Sequence, residues 1–189
     1  MKVHRTKTSI VTLIVVAILA CGAIFLSLTT QNNTTAINAN NIETATCVRV
    51  VDGDTLVVNL NNQEQKVRLV GVDTPESVSS DSSKNCEEGK IASDYTKSLV
   101  KEGQTLYLSK DTSDTDKYGR LLRFVWLEQP TENPTQDEIK TKMLNAILVK
   151  DGYAQAKDYK PDVSLSSLFH KLGTQAESDN LGVTYKWKS

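Results

Sequence analysis

Two patterns of apolar and polar positions occupy the chain after residue 45. Alternating residues, or short apolar runs rich in β-branched side chains, predict strands. We expect five of them, at residues 47–51, 55–60, 64–72, 104–109 and 121–127. Asn61 and Asn62 form a turn signal between the second and third, and so predict a β-hairpin.

The second pattern is the spacing of one helix face, with apolar residues about four apart. It occurs at residues 87–101, 137–150 and 165–178, whereas the polar stretches 77–85 and 128–135 read as loops. Five short strands and three helices predict an α+β domain, in which the helices pack on a small five-stranded β-barrel.

The start of the chain has a different pattern. Residues 1–9 are basic and polar, and Ile10–Leu28 is an apolar run without a charge. A basic head before such a run is typical of an export signal or a membrane anchor, and it predicts that the rest of the chain is exported. Residues 1–28 are therefore a cleaved signal, a retained anchor or, since Ile18–Cys21 resembles a lipobox, a lipoprotein signal. We expect the protein outside the cell, secreted or tethered to the outer face of the membrane.

Residues 29–45 are polar and low in complexity, which is typical of a flexible linker. The folded domain is expected to begin near Thr46. Cys47 and Cys86 are the two cysteines of the exported part, and the sequence leaves open whether they form a disulfide or remain thiols.

The net charge changes once the N-terminal segment is set aside. The whole chain sums to -1, but residues 1–28 carry three basic residues and no acid. The remainder has 19 basic and 23 acidic residues, a net of -4. An anionic substrate must therefore be attracted by a local basic cluster rather than by the domain as a whole.

Several common kinds of catalytic site can be set aside. The histidines are His4 and His170, and the first lies in the basic head. A histidine-rich metal site and a Ser-His-Asp triad are thus disfavoured. The sequence also has no glycine-rich phosphate loop.

Acidic residues are placed where the predicted hairpin would bring them together. Asp54 opens one strand and Asp73 closes its partner, so both lie at the same end of the hairpin. Two close carboxylates suit a hard cation such as Ca²⁺ or Mg²⁺. Few carboxylates imply weak binding, which fits millimolar calcium outside the cell.

The same segment supplies the other parts of a hydrolytic site. Arg68 lies inside a strand, where a charge is costly unless it is paired, and Arg120 follows a polar loop. Glu76 comes just after Pro75 and can act as general base for a water. Two arginines that hold a phosphate, a metal and a base together favour phosphodiester hydrolysis.

These motifs, in this order, resemble those of the thermonuclease (staphylococcal or micrococcal nuclease-like) family. The resemblance covers about residues 46–187. It rests on three segments: residues 51–55 (VDGDT), residues 68–76 (RLVGVDTPE) and residues 115–120 (TDKYGR).

The resemblance implies an OB-fold barrel with three helices and a Ca²⁺-dependent endonuclease that acts on DNA and RNA as a monomer. It assigns three sets of residues by position. The catalytic set is Arg68, Glu76 and Arg120; the calcium set is Asp54, Asp73 and the Thr74 carbonyl; the nucleotide-contacting set is Lys117, Tyr118 and Tyr159.

The chain also departs from the family pattern. The net charge of -4 predicts weak, salt-sensitive DNA binding. Lys157 stands where an aromatic residue near the base is usual, and residues 129–136 look like an inserted loop. Asp111, Asp114 and Asp116 lack the glycine and glutamate of a calcium loop, so we expect a solvated loop there.

Two other functions fit part of the sequence. A non-catalytic OB-fold module could bind single-stranded nucleic acid or another polyanion, but aromatic residues, at 6%, are few for stacking. A calcium-binding surface protein would leave Arg68 and Arg120 unexplained. The sequence does not fix the preference between DNA and RNA or the biological role.

Overall fold

The computed structural model describes residues 41–77 and 85–187. The predicted signal or anchor at residues 1–28 lies outside the described residues, as do most of the predicted linker and residues 78–84 of the serine-rich loop. None of the helices in the described part of the chain is both long enough and apolar enough to cross a membrane.

The described residues form seven strands and four helices, joined by loops. In chain order they are β1 (Glu43–Asp52), β2 (Thr55–Leu60), β3 (Gln63–Leu69), β4 (Val72–Asp73), α1 (Glu87–Leu99), β5 (Thr105–Ser109), β6 (Leu121–Trp126), α2 (Gln136–Lys142), α3 (Leu144–Lys150), β7 (Gln155–Ala156) and α4 (Ser166–Ser178).

Five of the strands close into a barrel in the order β1-β2-β3-β6-β5. The pairing of β3 with β6 is parallel, and the pairings of β1 with β2, β2 with β3, β1 with β5 and β5 with β6 are antiparallel. The predicted five-stranded barrel is therefore confirmed. The short strands β4 and β7 form a separate two-stranded sheet.

The predicted hairpin turn is also confirmed. Asn61 and Asn62 both have positive φ, at 53° and 63°, and Leu60 pairs with Gln63 across them. Positive φ at both central residues is the requirement of a type I′ turn, and asparagine tolerates it. The resulting register sets Thr55 directly opposite Arg68, at the end of the hairpin remote from the turn.

Two strand boundaries differ from the prediction. The first strand begins at Glu43, so the barrel starts before Thr46 and includes the end of the predicted linker. The strand expected at residues 64–72 is broken after Leu69 by Gly71, which has a φ of 75° and packs against Phe169 where a Cβ would stand. The chain then pairs again as β4, with β7 rather than with a barrel strand.

The expectation of three helices was wrong, because the segment 137–150 forms two. Met143 is extended, with φ -89° and ψ 119°, and pairs with Trp126 at the end of β6. The Met143 side chain is fully buried in the core. An apolar residue is therefore required at this position even though it does not belong to a helix face. The helices expected at 87–101 and 165–178 are present as α1 and α4, and residues 128–135 form the predicted loop.

The core fills the barrel and the space under α2, α3 and α4. Burying each large apolar side chain contributes roughly 1.5–3 kcal/mol to folding. Cys47 belongs to this core, and both it and the half-buried Cys86 are free thiols. The largest fully buried side chains are Trp126, Phe124, Phe169, Leu56, Leu69, Leu106, Leu108, Ile139, Met143, Leu144, Leu148 and Leu165.

Candidate active site

Arg68 joins the two predicted calcium carboxylates at the open end of the hairpin. Its Nη2 lies 3.1 Å from Oδ2 of Asp54 and 2.9 Å from Oδ1 of Asp73. Its Nη1 donates to the carbonyls of Leu69 and Val72, at 3.0 and 2.9 Å. The arginine side chain is only 10% exposed, so this buried charge is paired and hydrogen-bonded as burial requires.

Asp54 is held from several directions. Thr74 donates both its N–H and its hydroxyl to Oδ2, at 2.9 and 3.0 Å, and the Thr55 hydroxyl donates to Oδ1 at 3.1 Å. Burial raises the pKa of Asp54, although the Arg68 charge and the Thr74 N–H oppose this rise. The Thr74 side chain thus orients a carboxylate, a role that the sequence did not indicate.

Glu76 lies on an exposed turn whose backbone is fixed on both sides. Ser77 donates its hydroxyl to Oδ1 of Asp52 at 2.6 Å, and the N–H of Cys86 donates to the Glu76 carbonyl at 3.1 Å. The backbone of Gly89 in α1 lies so close to that carbonyl that a Cβ would overlap it. The Glu76 residue itself lines the cleft.

The acidic surroundings alter the ionisation of Glu76. Partial burial raises its pKa, and the negative charges of Asp52, Asp54 and Asp73 raise it further, while Arg68 lowers it. A carboxylate with a raised pKa is a better proton acceptor than an ordinary glutamate. Glu76 lines the cleft and has a raised pKa, and so it is suited to accept a proton from a water molecule.

Arg120 lies on the other wall of the cleft and is oriented by Asp116. Its Nε and Nη2 both lie 2.7 Å from Oδ2 of Asp116, and its own N–H donates to Oδ1. Although burial raises the pKa of Asp116, the hydrogen bonds from Arg120 and Tyr118 lower it overall, so the pair stays charged. Neither side-chain contact uses Nη1, and Arg120 lines the cleft, so this nitrogen can donate to an anion there.

Two tyrosines flank the arginines. Tyr118 is strongly exposed, at 70%, and both Lys117 Nζ and Arg120 Cζ lie over its ring, 5.0 and 5.6 Å from the centroid. The Tyr159 ring lies 5.7 Å from Arg68 Cζ, and its hydroxyl donates to Asp73. Exposed rings beside fixed cations are surfaces on which bases can stack.

One cleft, with a volume of about 790 Å³, connects these groups. Every predicted site residue lines it except Thr74, which lies behind Asp54. The structure thus brings together the residues predicted as catalytic, metal-binding and nucleotide-contacting. The lining members of that set are Asp54, Arg68, Asp73, Glu76, Lys117, Tyr118, Arg120 and Tyr159.

The carboxylates of the cleft fit a hard divalent cation that is held weakly. Asp54 and Asp73 share one nitrogen of Arg68 and are therefore close neighbours, and their oxygens are the ligands that Ca²⁺ prefers. Within residues 41–77 and 85–187, no three acidic, histidine or cysteine side chains are grouped closely enough to hold a metal by themselves. A cation at this position would therefore need oxygen ligands besides carboxylates, such as a backbone carbonyl, water and substrate oxygens.

The comparisons with known proteins agree with this arrangement. Residues 66–188 match the family described as staphylococcal nuclease homologue. A thermonuclease of Staphylococcus hyicus is 32% identical over 87% of this chain and 89% of its own length, and one of Staphylococcus intermedius is 36% identical over 71% and 72%. The endonuclease YncB of Bacillus subtilis (strain 168) is 33% identical over 79% of this chain and 65% of its own.

The chain belongs to the staphylococcal nuclease homologue family. The resemblance to thermonucleases is therefore confirmed, and so is the prediction of an enzyme of the phosphodiester-hydrolysing nuclease class. The family match begins at residue 66, so it includes Arg68 and Glu76 but not the turn that carries Asp54.

Several residues of this nuclease site were not identified as such from the sequence. Asp52, Ser77 and Gly89 fix the Glu76 turn, and Asp116 orients Arg120. Lys157, noted only as a departure, donates to Oδ2 of Asp73 at 2.8 Å. For Asp52, the sequence did hold a signal, which is its position two residues before Asp54 at the end of a strand. Two such carboxylates can bind different segments, and here Asp52 contacts Ser77 while Asp54 contacts Thr74.

The three aspartates of the loop before Arg120 each hydrogen-bond or form an ion pair with another residue of the chain. Asp111 accepts the N–H of Ser164, Asp114 pairs with the buried Arg123, and Asp116 pairs with Arg120. These contacts tie the loop to the segment after Tyr159 and to β6.

Proposed function

We propose that this nuclease is a Ca²⁺-dependent endonuclease that hydrolyses the phosphodiester bonds of DNA and RNA by attack of a water molecule. The observation that carries the proposal is the position of Arg68, which is buried between Asp54 and Asp73 with Glu76 and Arg120 on the walls of the same cleft. Anion-binding, cation-binding and proton-accepting groups thus converge on one volume.

Binding of the scissile phosphate falls to the two arginines. Carbonyl and carboxylate acceptors hold the Arg68 guanidinium in place, and Asp116 orients Arg120. Donors fixed in advance stabilise the charge that develops on the phosphate oxygens without reorganising. The Nη1 nitrogen of Arg120, which Asp116 does not contact, is suited to the leaving oxygen.

Glu76 orients the attacking water and accepts its proton. Its raised pKa and its fixed backbone favour this role over a purely structural one. Asp54 and Asp73, with the Thr74 carbonyl, would hold Ca²⁺, which when bound supplies positive charge to polarise the phosphate.

Lys117, Tyr118 and Tyr159 bind the nucleotide next to the cleaved bond. Tyr118 and Tyr159 are exposed, at 70% and 40%, and each has a cation against its ring. This arrangement favours single-stranded substrates, whose bases are free to stack. Because the domain has a net negative charge, only this local group of cations attracts the nucleic acid.

A binding-only module and a calcium-only surface protein are less well supported. Neither function would explain why Asp116 orients Arg120 or why the pKa of Glu76 is raised.

The N-terminal segment, with its basic head and apolar run, supports export and either secretion or attachment to the outer face of the membrane. We take the working unit to be a monomer, since one chain supplies all the groups named.

The proposal is tested by incubating the full-length chain in mild detergent with single-stranded DNA and RNA in millimolar CaCl₂. We expect cleavage that is abolished by EGTA and by Arg68→Ala, with a Lys97→Ala variant on the outer face of α1 as the matched control. Wild-type cleavage in EGTA would refute calcium dependence. Calcium binding without cleavage would favour the binding module.

A further inference from the structure

Lys157 occupies one oxygen of a carboxylate that the proposed function assigns to calcium. Its Nζ lies 2.8 Å from Oδ2 of Asp73. The other oxygen, Oδ1, accepts from Arg68 at 2.9 Å and from the Tyr159 hydroxyl at 3.3 Å. Both oxygens of Asp73 therefore have cationic or hydroxyl donors from the protein itself.

The partners of Asp73 differ in how firmly they are held. The Arg68 side chain is 10% exposed, and its guanidinium also binds Asp54 and the carbonyls of Leu69 and Val72. The Lys157 side chain is 45% exposed, and Asp73 is the one acceptor that the described residues provide for its ammonium. Lys157 is thus the partner that can leave without disturbing the barrel.

The backbone at Lys157 is anchored independently of its side chain. Lys157 follows β7, which pairs with β4 so that Asp73 lies opposite Gln155, and its own N–H donates to the Gly71 carbonyl at 2.9 Å. Four methylene groups separate this anchored backbone from the ammonium. Since a half-exposed ion pair is weak, transfer of the ammonium to water costs little.

We propose that Lys157 is an internal competitor of calcium at Asp73, and that its displacement from Oδ2 sets the calcium concentration at which the enzyme works. A divalent cation that binds Asp73 through Oδ2 takes the position of the ammonium. The inference rests on the proposed function, since it requires that Asp73 ligates calcium. It makes Lys157 a residue that tunes metal affinity rather than a catalytic residue.

Competition of this kind makes a specific prediction for substitutions. Lys157→Met keeps the length and apolar stem of the side chain but removes the charge, so calcium should bind about two- to tenfold more tightly. Lys157→Arg keeps the charge and adds donors, so its calcium affinity should be no higher than that of the wild type.

The matched control separates direct competition from a general change in charge. Lys160 lines the same cleft, and Lys160→Met removes the same charge without removing a partner of Asp73. The test is a calorimetric titration of each full-length chain with CaCl₂ and no nucleic acid. We expect less than a twofold change for Lys160→Met.

Three results would overturn the inference. Equal affinities of Lys157→Met and wild type would show that the ammonium does not compete, while calcium-dependent cleavage by both would leave the proposed function intact. An equal increase in calcium affinity in Lys157→Met and Lys160→Met would show a long-range effect of charge rather than direct competition at Asp73. No calcium binding to any of the chains, with cleavage that persists in EGTA, would reject the calcium dependence and this inference together.

Discussion

Thr74 donates both its backbone N–H and its side-chain hydroxyl to the same oxygen, Oδ2, of Asp54. This double contact ties the residue that follows β4 to the turn before β2 and fixes the orientation of a buried carboxylate. It also explains a threonine at a position whose side chain lies behind the cleft rather than in it.

Replacing Thr74 by valine should lower the free energy of unfolding by about 1 to 2 kcal/mol, because a buried carboxylate loses a hydroxyl donor. Urea denaturation at neutral pH measures this change. Thr141→Val is the matched control, since that exposed hydroxyl donates only to carbonyls of its own helix and its loss should change stability by less than about 0.5 kcal/mol. Equal effects of the two substitutions would contradict the importance of the Thr74 contact.

Gly89 provides a test of how Glu76 is positioned. An alanine Cβ at this position would overlap the Glu76 carbonyl, so Gly89→Ala should shift the Glu76 turn and lower the cleavage rate by about 100-fold. Gly173→Ala in α4 is the control, because its Cβ would make an ordinary contact of 3.5 Å with Val149.

The control substitution should raise stability by about 0.5 to 1 kcal/mol, as expected for glycine to alanine within a helix, and leave the rate unchanged. Steady-state cleavage of a fluorescent oligonucleotide and thermal unfolding, measured on both variants, supply the comparison. Full activity of Gly89→Ala would show that the turn does not depend on this close approach.

Asn145 is a buried hydrogen-bonding centre for the barrel. Its Oδ1 accepts the Val125 N–H at 2.9 Å, and its Nδ2 donates to the carbonyls of Val70 and Arg123 at 2.9 and 3.3 Å. Asn145→Ala should cost about 2 to 4 kcal/mol, because it leaves buried backbone groups without partners.

Denaturant unfolding of Asn145→Ala, compared with that of Asn59→Ala on the exposed side of β2, measures the effect. The exposed substitution should change stability by less than about 0.5 kcal/mol. A loss below about 1 kcal/mol at position 145 would mean that water replaces the amide and that the site is less enclosed than described.

The Asp116–Arg120 pair should make part of the stability depend on pH. The pKa of Asp116 is lowered in the folded protein, so its contribution is present above the unfolded pKa of about 3.9 and is lost as pH falls through the lower folded value. Wild type should therefore be more stable than Asp116→Asn at pH 7, and the difference should shrink below about pH 4.

Unfolding curves at pH 7, 5 and 3 test this dependence. Asp137→Asn is the control, since the Asp137 carboxylate is 92% exposed and its ion pair with Lys140 should contribute almost nothing at any of these pH values. A wild-type advantage over Asp116→Asn that is constant from pH 7 to pH 3 would contradict the assignment.

The barrel and the centre of the cleft could be predicted because their signals are local. The apolar residues of β2 and β3 predict two strands, and the Asn61-Asn62 turn sets their register. That register brings Asp54 to Asp73, with Arg68 inside the strand. Arg68 lies between the apolar residues Val67 and Leu69. A charge there is costly unless it is paired, so its place in a site was a sound inference.

The features that were missed depend on contacts between distant parts of the chain. The break at Met143 comes from its pairing with Trp126, which helical periodicity does not record. The contacts of Ser77 with Asp52 and of Lys157 with Asp73 join residues 25 and 84 positions apart. Such partners follow from closure of the barrel and the small β4–β7 sheet, not from the pattern of any one segment.

The role of Glu76 as general base is tested most directly by the effect of Glu76→Gln on cleavage and on calcium binding in the same preparation. We expect the rate on single-stranded DNA in millimolar CaCl₂ to fall by at least about 100-fold, because the amide cannot accept the proton of water, while calcium affinity stays within a few-fold of wild type. Glu87→Gln, an exposed neighbour on α1, should change neither quantity. Wild-type cleavage by Glu76→Gln would contradict the role of Glu76 as general base and, with it, the proposed mechanism.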